Sequence, residues 1–534
     1  MQATLFDITQ SALLTMNDAA IWASEHVGKD VTPANIAYLV QYGRVTRHVV
    51  NGVTLVDISE LEQYYVQSSK REEDWRIKLG DDLNWALSFD KLKEVETTKH
   101  VHRLHPYKGK FIPQLVEYFL DEHVDTFKKE IYFHKGDIVL DPFSGSGTTM
   151  VQANELGMHA IGVDISAFNA LMANCKVMQY DLLDLQSEIR SVTERLQQYV
   201  EKSNVLSFDE ALTEKLAVFN AQYFPAPEYK YKIRRKLINE STYGEEKAKL
   251  FLPIFNNLVQ QYNIKLLQPT QSTFLDKWYV QQIRNEIDFV WNEIKHIQNE
   301  NTRKALTIIL SRTIRSCRAT THADLGTLKE PIYTTYYCAK HGKICKPLFS
   351  TIKWWQTYCK DTLKRLQEFA SIRTNTYQIC LTGDSRIVDI FSEIQKQNPT
   401  FADMLCKQKI KGIFSSPPYV GMIDYHEQHA YSYELFGFKR NDDLEIGPLF
   451  KGKGKEAQRA YIDGIVKVLN NCKRFLVQDF DIFLVANDKY NLYPQIAYDA
   501  NLEIVNQYKR PVLNRTEPDK GAYSEIIFHM KAKV

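Results

Sequence analysis

The chain has 534 residues, 44% of them apolar and 25% charged, with 67 Lys/Arg against 65 Asp/Glu for a net charge of +2. At roughly 100–200 residues per domain, three or four structural units with sizeable cores are expected, which excludes global disorder and collagen-like or low-complexity classes, while the balanced charge leaves nucleic-acid binding to local patches. No apolar run nears the ~18 residues of a membrane span, Met1–Asp7 lacks the basic start of a signal peptide, and eight cysteines are too few for a disulfide scaffold, so a cytoplasmic protein with reduced thiols is expected.

Residues 1–66 read as a self-contained module. Thr15 and Asp18 suit the start of a helix through Ala19–Trp22, and Thr32-Pro33 suits a cap and first position of a second helix carrying Ile36, Leu39 and Val40. Asn51-Gly52 between Val45–Val50 and Val53–Ile58 is a hairpin signal. Ser59 then suits the cap of a short last helix, Glu60–Tyr65. Two helices followed by a hairpin is the order of a winged helix-turn-helix, with Arg44, Arg47 and His48 poised for DNA. The module resembles the small DNA-binding domains of excisionases and MerR-type regulators; a protein-docking module is the other reading.

Residues 67–180 hold a first chemical string, Asp137-Ile-Val-Leu-Asp-Pro-Phe-Ser-Gly-Ser-Gly-Thr-Thr149. An apolar strand, Ile138–Leu140, runs through Asp141, Pro142 and Phe143 into a Gly145-x-Gly147 turn and Thr148, then a helix over Met150–Leu156. This is how a doubly wound α/β sheet begins, with ligands at the strand ends. The third glycine of a dinucleotide fingerprint is missing, which disfavours a pyrophosphate. A second strand, His159–Val163, ends at Asp164, where a carboxylate suits ribose hydroxyls. An adenosine carrying a small zwitterionic tail fits these features.

Residues 181–372 are more than the sheet needs and read as a mainly helical insertion, with periodic segments at Leu185–Glu201, Phe274–Ile297 and Lys304–Arg315. Within 301–350, nine basic residues (Arg303, Lys304, Arg312, Arg315, Arg318, Lys329, Lys340, Lys343, Lys346) face two acidic ones, Asp324 and Glu330, and Tyr333, Tyr336 and Tyr337 interleave. Tyr229–Lys236 is a second basic run. Either run suits a nucleic-acid surface or a solvated helix face. Cys338-x-x-His341-x-x-x-Cys345, with Cys317 and His322 upstream, has donors for zinc in an irregular spacing; buried thiols and a surface histidine are the other reading, and no metal is assigned.

In residues 373–534 an apolar strand end runs into Ser416-Pro417-Pro418-Tyr419. Consecutive prolines lack N–H donors and fix their carbonyls. A serine hydroxyl and a fixed carbonyl can accept both protons of an exocyclic amine, and Tyr419 offers a face for an extruded base. Asp424, His426, Glu427 and His429 follow as polar lining or surface residues, one of them a candidate proton relay. Gly447–Gly454 reads as a basic surface loop. No Pro-Cys pair occurs, which disfavours covalent C5 chemistry on cytosine.

Together, Asp141–Thr149 and Ser416–Tyr419 resemble the cofactor and catalytic motifs of amino-group DNA methyltransferases. His105–Leu115, Leu381–Arg386, the strand Asp481–Ala486 and the closing Arg510–Met530 segment also resemble parts of that family, over roughly residues 95–180 and 373–534. The resemblance implies a Rossmann-like α/β fold, S-adenosyl-L-methionine (AdoMet) as cofactor and double-stranded DNA as partner. It implies cofactor contacts from Lys108, Asp141, Pro142, Phe143, Gly145, Gly147, Thr148, Asp164 and Asp384, the last on the adenine. DNA contacts are expected from Arg44, Arg47, Arg312, Arg315, Arg318, Lys340 and Lys343. In such families Ser-Pro-Pro-Tyr goes with cytosine N4, whereas Asp- or Asn-Pro-Pro-Tyr goes with adenine N6. The expected activity is cytosine-N4 methylation, with a restriction endonuclease as a possible companion. Adenine-N6 methylation, or a DNA-binding regulator with an inactive fold, are the alternatives.

Overall fold

The computed structural model describes residues 13–27, 30–79, 83–89, 92–322, 328–347, 350–512 and 523–533. The Met1–Asp7 stretch and Asp324 lie outside them. The chain divides into two compact units: Leu79–Lys202, Gln268–Cys317 and Ser350–Val534 form the larger; Met1–Lys78, Ser203–Leu267 and Arg318–Phe349 form the smaller. The insertion expected over 181–372 is therefore not one body, because its segments are shared between the two units.

The larger unit is built on seven strands: β1 (Ile138–Asp141), β2 (His159–Asp164), β3 (Gln378–Thr382), β4 (Ile410–Ser415), β5 (Leu476–Ala486), β6 (Leu502–Val512) and β7 (Tyr523–Ala532). Their spatial order is β6-β7-β5-β4-β1-β2-β3. The run from β3 to β5 is parallel, and β7 lies antiparallel between β5 and β6. The chain steps outward from β1 to β3, then returns to β4 on the other side of β1. That reversal opens a crevice at the carboxyl ends of β1 and β4, where such sheets bind ligands.

Every residue of β1 and β2 is buried, as expected of parallel strands covered on both faces. Alternate residues Ile138, Leu140, Ile161 and Val163, with Ile482 and Leu484, pack under Ile394, Phe401, Ile465 and Ile496 of four helices. On the opposite face, Phe119 of helix Pro113–Leu120 packs on Phe414 and Phe483 at 5.7 and 5.0 Å. Each such side chain stabilises the fold by roughly 1.5–3 kcal/mol relative to exposure.

Helices Leu182–Glu201, Gln281–Lys295, Glu300–Ser316 and Thr351–Ala370 pack on one another in the same unit. Asn299 caps the third by accepting from Asn301 and Thr302 N–H. The helix expected over Phe274–Ile297 is broken. Tyr279 adopts an extended conformation between Phe274–Trp278 and Gln281–Lys295. Its ring is fully buried, and its hydroxyl donates to the Ile314 carbonyl at 2.9 Å. Burial of that one side chain outweighs helical continuity.

In the smaller unit, helices Met16–Val27 and Pro33–Gln41 and strands His48–Val50 and Val53–Asp57 follow the expected order. Thr32 and Asn35 form a reciprocal capping box. Asn51 and Gly52 both take positive φ, 51° and 78°, as a two-residue hairpin turn requires. Leu13–Thr15 adds an unforeseen third strand beside Val53–Asp57. The last helix runs Ile58–Leu79, far beyond Tyr65, and Ser59 is not its cap. Asp57 instead accepts from both the Ser59 N–H and hydroxyl, at 2.8 and 2.7 Å. Ala19, Ala23, Ile36, Leu39, Val56 and Leu61 form the core.

Helices Val205–Tyr223, Glu228–Arg234 and Glu240–Gln261 complete this unit, with a hairpin of Tyr336–Cys338 and Lys343–Cys345. The Tyr229–Lys236 run is largely spent on internal contacts. Arg234 donates to the Tyr42 carbonyl, Arg235 pairs with Glu60, and Lys230 donates to the Ala339 carbonyl.

Candidate active site

The crevice of the larger unit is assembled from strand ends. β1 delivers Asp141, β2 delivers Asp164, and β4 delivers Ser415 followed by Ser416. After Asp141 the chain turns through Pro142–Gly147 into helix Thr148–Glu155, with Ser144 N–H held by the Val163 carbonyl. Gly147 stands at the helix start with φ +74°, and a Cβ there would sit 2.8 Å from Ala173 Cβ. Gly145 has φ +49°, and a Cβ would press on the Tyr107 ring at 3.0–3.1 Å. Both glycines are thus required by conformation and close approach.

Pro142, Phe143, Gly145, Thr148, Asp164, Asp384, Ser416 and Pro418 line this single crevice. The Asp164 carboxylate accepts from Gly145 N–H and Ser166 N–H at 2.8 Å each, and from Asn169 Nδ2 at 3.1 Å. Burial pushes its pKa up to about 6 despite these bonds. Asp384 also borders the crevice, but its carboxylate is engaged bidentately by Arg386. Burial would raise that carboxyl; Arg386 holds it below the usual range.

Three expected contacts fall elsewhere. Asp141 lies beneath the crevice, accepting from Ser415 Oγ at 2.5 Å and Phe143 N–H at 3.2 Å, and burial pushes its pKa up to about 6. It fixes the loop to β4. Gly147 serves packing against Ala173 rather than the crevice wall. Lys108 is exposed, with its backbone N–H on Gln428; Lys110, two residues on, lines the crevice. The turn at Gly109, with φ +79°, separates the two.

Tyr107 and Phe111 of the family-like segment His105–Leu115 stand in the crevice wall, together with Ser166, Asn169, Tyr425 and Glu445, which sequence reasoning missed. Ser166 and Asn169 follow Asp164 closely enough to be found from it, whereas Glu445 has no local signature. It accepts from the backbone of Tyr425 and His426 and from the His426 ring. His426 and His429 are buried, not surface residues. Asp424 accepts from Phe450 N–H at 3.1 Å.

Pro417 is buried, and Tyr419 lines a neighbouring cleft with Tyr461, Asn487, Asp488 and Tyr493. The Tyr419 hydroxyl donates to Glu525 at 2.8 Å, and Glu525 pairs with Arg510. Ser416 thus lines the crevice, and Tyr419, three residues on, lines the second cleft.

A family model described as DNA methylase matches residues 33–174. Over 529 residues the chain is 46% identical to the type II methyltransferase M.MjaII of Methanocaldococcus jannaschii, covering 97% of each chain. The chain belongs to the amino-group DNA methyltransferases. M.BsoBI of Geobacillus stearothermophilus is 30% identical over 182 residues, 30% of this chain and 36% of that one. M2.DpnII of Streptococcus pneumoniae is 39% identical over 96 residues, 18% and 34%. The protein is therefore a type II DNA methyltransferase, and its family implies AdoMet. The crevice suits that group, with aromatic faces from Tyr107, Phe111 and Phe143 for an adenine and sulfonium, and Asp164 at a strand end for ribose hydroxyls.

The residues expected on the methyltransferase's DNA surface separate into two groups. Arg312 and Arg318 are 6% and 3% exposed. Arg312 pairs with Asp361, donates to Thr362 and lies 4.4 Å over the Tyr358 ring, which makes it a core residue. Arg303 donates to the Ile297 carbonyl, Lys304 pairs with Glu300 and Lys346 with Asp209. Tyr336 and Tyr337 bond to His322 and Glu240. By contrast Arg47, Lys340 and Lys343 are exposed, and Arg44 and Arg315 are half-buried. No helix among the described residues is long and apolar enough to cross a membrane.

Proposed function

We propose that this methyltransferase transfers the AdoMet methyl group to the N4 amine of cytosine in double-stranded DNA. The observation that carries the reading is the Ser416-Pro-Pro-Tyr419 string at the end of β4, with Ser416 and Pro418 in the same crevice wall as Phe143 and Asp164. When bound, AdoMet supplies an electrophilic methyl group. Asp164 would accept hydrogen bonds from the ribose, and the aromatic side chains would hold the adenine.

The target cytosine, rotated out of the duplex, would enter the cleft bordered by Tyr419 and stack on its ring. The Ser416 hydroxyl and the Pro417 carbonyl would accept hydrogen bonds from the two amine N–H groups, and one of those protons would pass to solvent once the nitrogen carries the methyl group. That bonding withdraws the nitrogen lone pair from the ring and aims it at the methyl group. Serine at position 416, where the adenine-N6 pattern carries Asp or Asn, is what favours cytosine over adenine. The absence of a Pro-Cys pair accords with direct transfer to nitrogen.

The N-terminal module would act as a winged helix, bringing Arg44 and Arg47 to DNA phosphates, with Lys340 and Lys343 on the hairpin of the same unit. The type II relatives suggest a cognate restriction endonuclease as companion. Modification-sensitive sequencing of DNA from cells expressing the protein tests the activity. Modified cytosine at one short motif supports it; modified adenine at such a motif means an N6 enzyme, and unmodified DNA means an inactive fold.

A further inference from the structure

The smaller unit contains a side-chain group that methyl transfer does not use. His322, Cys338, His341 and Cys345 each bring one donor atom, a ring nitrogen or a thiol sulfur, within 4.8 Å of all the others. The His341 Nδ1 lies 3.6 Å from Cys338 Sγ and 3.4 Å from Cys345 Sγ. A tetrahedral zinc with bonds of about 2.0–2.3 Å has donor atoms about 3.5 Å apart along its edges. One nitrogen at that separation from two sulfurs is more than a thiol hydrogen bond needs, and it matches two edges of such a tetrahedron.

The backbone is shaped for the same purpose. The Cys338 carbonyl accepts from His341 N–H and Gly342 N–H at 3.1 and 2.7 Å, folding the tight loop that returns His341 over the two cysteines. Gly342 takes φ +62° to complete the turn. His322 comes from outside the hairpin, its ring fixed by the Tyr336 hydroxyl on Nδ1 at 2.6 Å, and its ring centroid is 4.5 Å from that of His341. Cys317, the other upstream cysteine, is not in this group; its thiol faces the Ser350 carbonyl.

We propose that His322, Cys338, His341 and Cys345 bind a structural zinc ion. Two thiolates and two neutral imidazoles close all four positions, leaving none for water or substrate, and this soft N/S set selects zinc over hard cations. The need is physical: a hairpin with three residues in each strand is too small to hold itself. Asn220 grips its Ile344 backbone from one side with two bonds of 2.9 Å. The ion would tie the other side to His322, fixing the hairpin that carries exposed Lys340 and Lys343.

The test is the zinc content of the full-length protein purified without chelator. One zinc per chain is expected, falling below a tenth in Cys338→Ser and in Cys345→Ser, while AdoMet affinity, set in the other unit, stays within twofold. Equal zinc in wild type and variants overturns the assignment. As a readout independent of variant folding, cobalt is titrated into chelator-treated wild-type protein. Thiolate-to-cobalt charge transfer with tetrahedral ligand-field bands at one equivalent is expected; its absence overturns the proposal. Alkylation gives a third readout. Cys338 and Cys345 should react only after chelation, whereas exposed Cys406 should react throughout. Alkylation of all three before chelation contradicts a closed site.

Discussion

Replacing Asp164 with asparagine should relieve a buried charge in the apo-protein and weaken the cofactor site. Asp164 is 8% exposed, and burial raises its pKa from 3.8 to about 6. Because the folded value lies above the ordinary one, the stability this carboxyl contributes is complete below pH 3.8 and is lost as pH rises through about 6. At about 1.4 kcal/mol per pH unit, the charge costs the apo-protein up to about 3 kcal/mol at pH 7.5. Asparagine carries no charge, so Asp164→Asn should recover part of that amount in denaturant unfolding, offset by ~1–3 kcal/mol for the backbone N–H that loses its acceptor. Its NH2 cannot accept from a ribose hydroxyl and meets an N–H of Gly145 or Ser166. AdoMet binding should therefore weaken by roughly 1.5–3 kcal/mol, about ten- to more than a hundred-fold. Calorimetric titration across pH separates the effects. Wild-type affinity should be flat above pH 6 and fall up to tenfold per unit below it, whereas the variant should be flat throughout. A variant that binds AdoMet as tightly as wild type, or a wild-type profile without a break near pH 6, would refute the ribose assignment.

Ser416→Ala should slow methylation about five- to more than a hundred-fold through loss of one acceptor worth ~1–3 kcal/mol, with AdoMet affinity unchanged by titration. Lys340→Ala with Lys343→Ala should lower the slope of log affinity against log salt by about 2, at ~0.9 per phosphate contact, in fluorescence anisotropy on duplex DNA. Arg312→Met should leave that slope unchanged yet destabilise the fold by about 2–3 kcal/mol in denaturant unfolding. This is less than the ~3–5 kcal/mol of an orphaned buried charge, because Arg365 still pairs with Asp361.

What the sequence made legible was local. The Asp141–Thr149 loop, the Thr32 cap with Pro33 behind it and the Asn51-Gly52 turn follow from neighbours in the chain, and each stands where the residues imply. Ser416 and Asp164, 252 residues apart, could be joined only through the family resemblance, since β4 and β2 meet across β1. Charge was the least reliable signal. Arg312 and Lys343 count equally in a basic run, yet one is paired in the core and the other is exposed, because helix Glu300–Ser316 is buried along most of its length. Glu445 reaches the crevice from a loop with no periodicity, so nothing in its surroundings marks it, and Tyr107 is marked only by the family resemblance of His105–Leu115. His322 joins the cysteines of the hairpin by tertiary folding, which an irregular spacing cannot express.

The most direct test of the account is the identity of the methylated nucleoside. Duplex DNA incubated with purified protein and isotopically labelled AdoMet is digested to nucleosides and resolved by mass spectrometry. Label is expected in N4-methylcytosine, reduced strongly by Ser416→Ala. Label in N6-methyladenine or 5-methylcytosine would contradict that assignment.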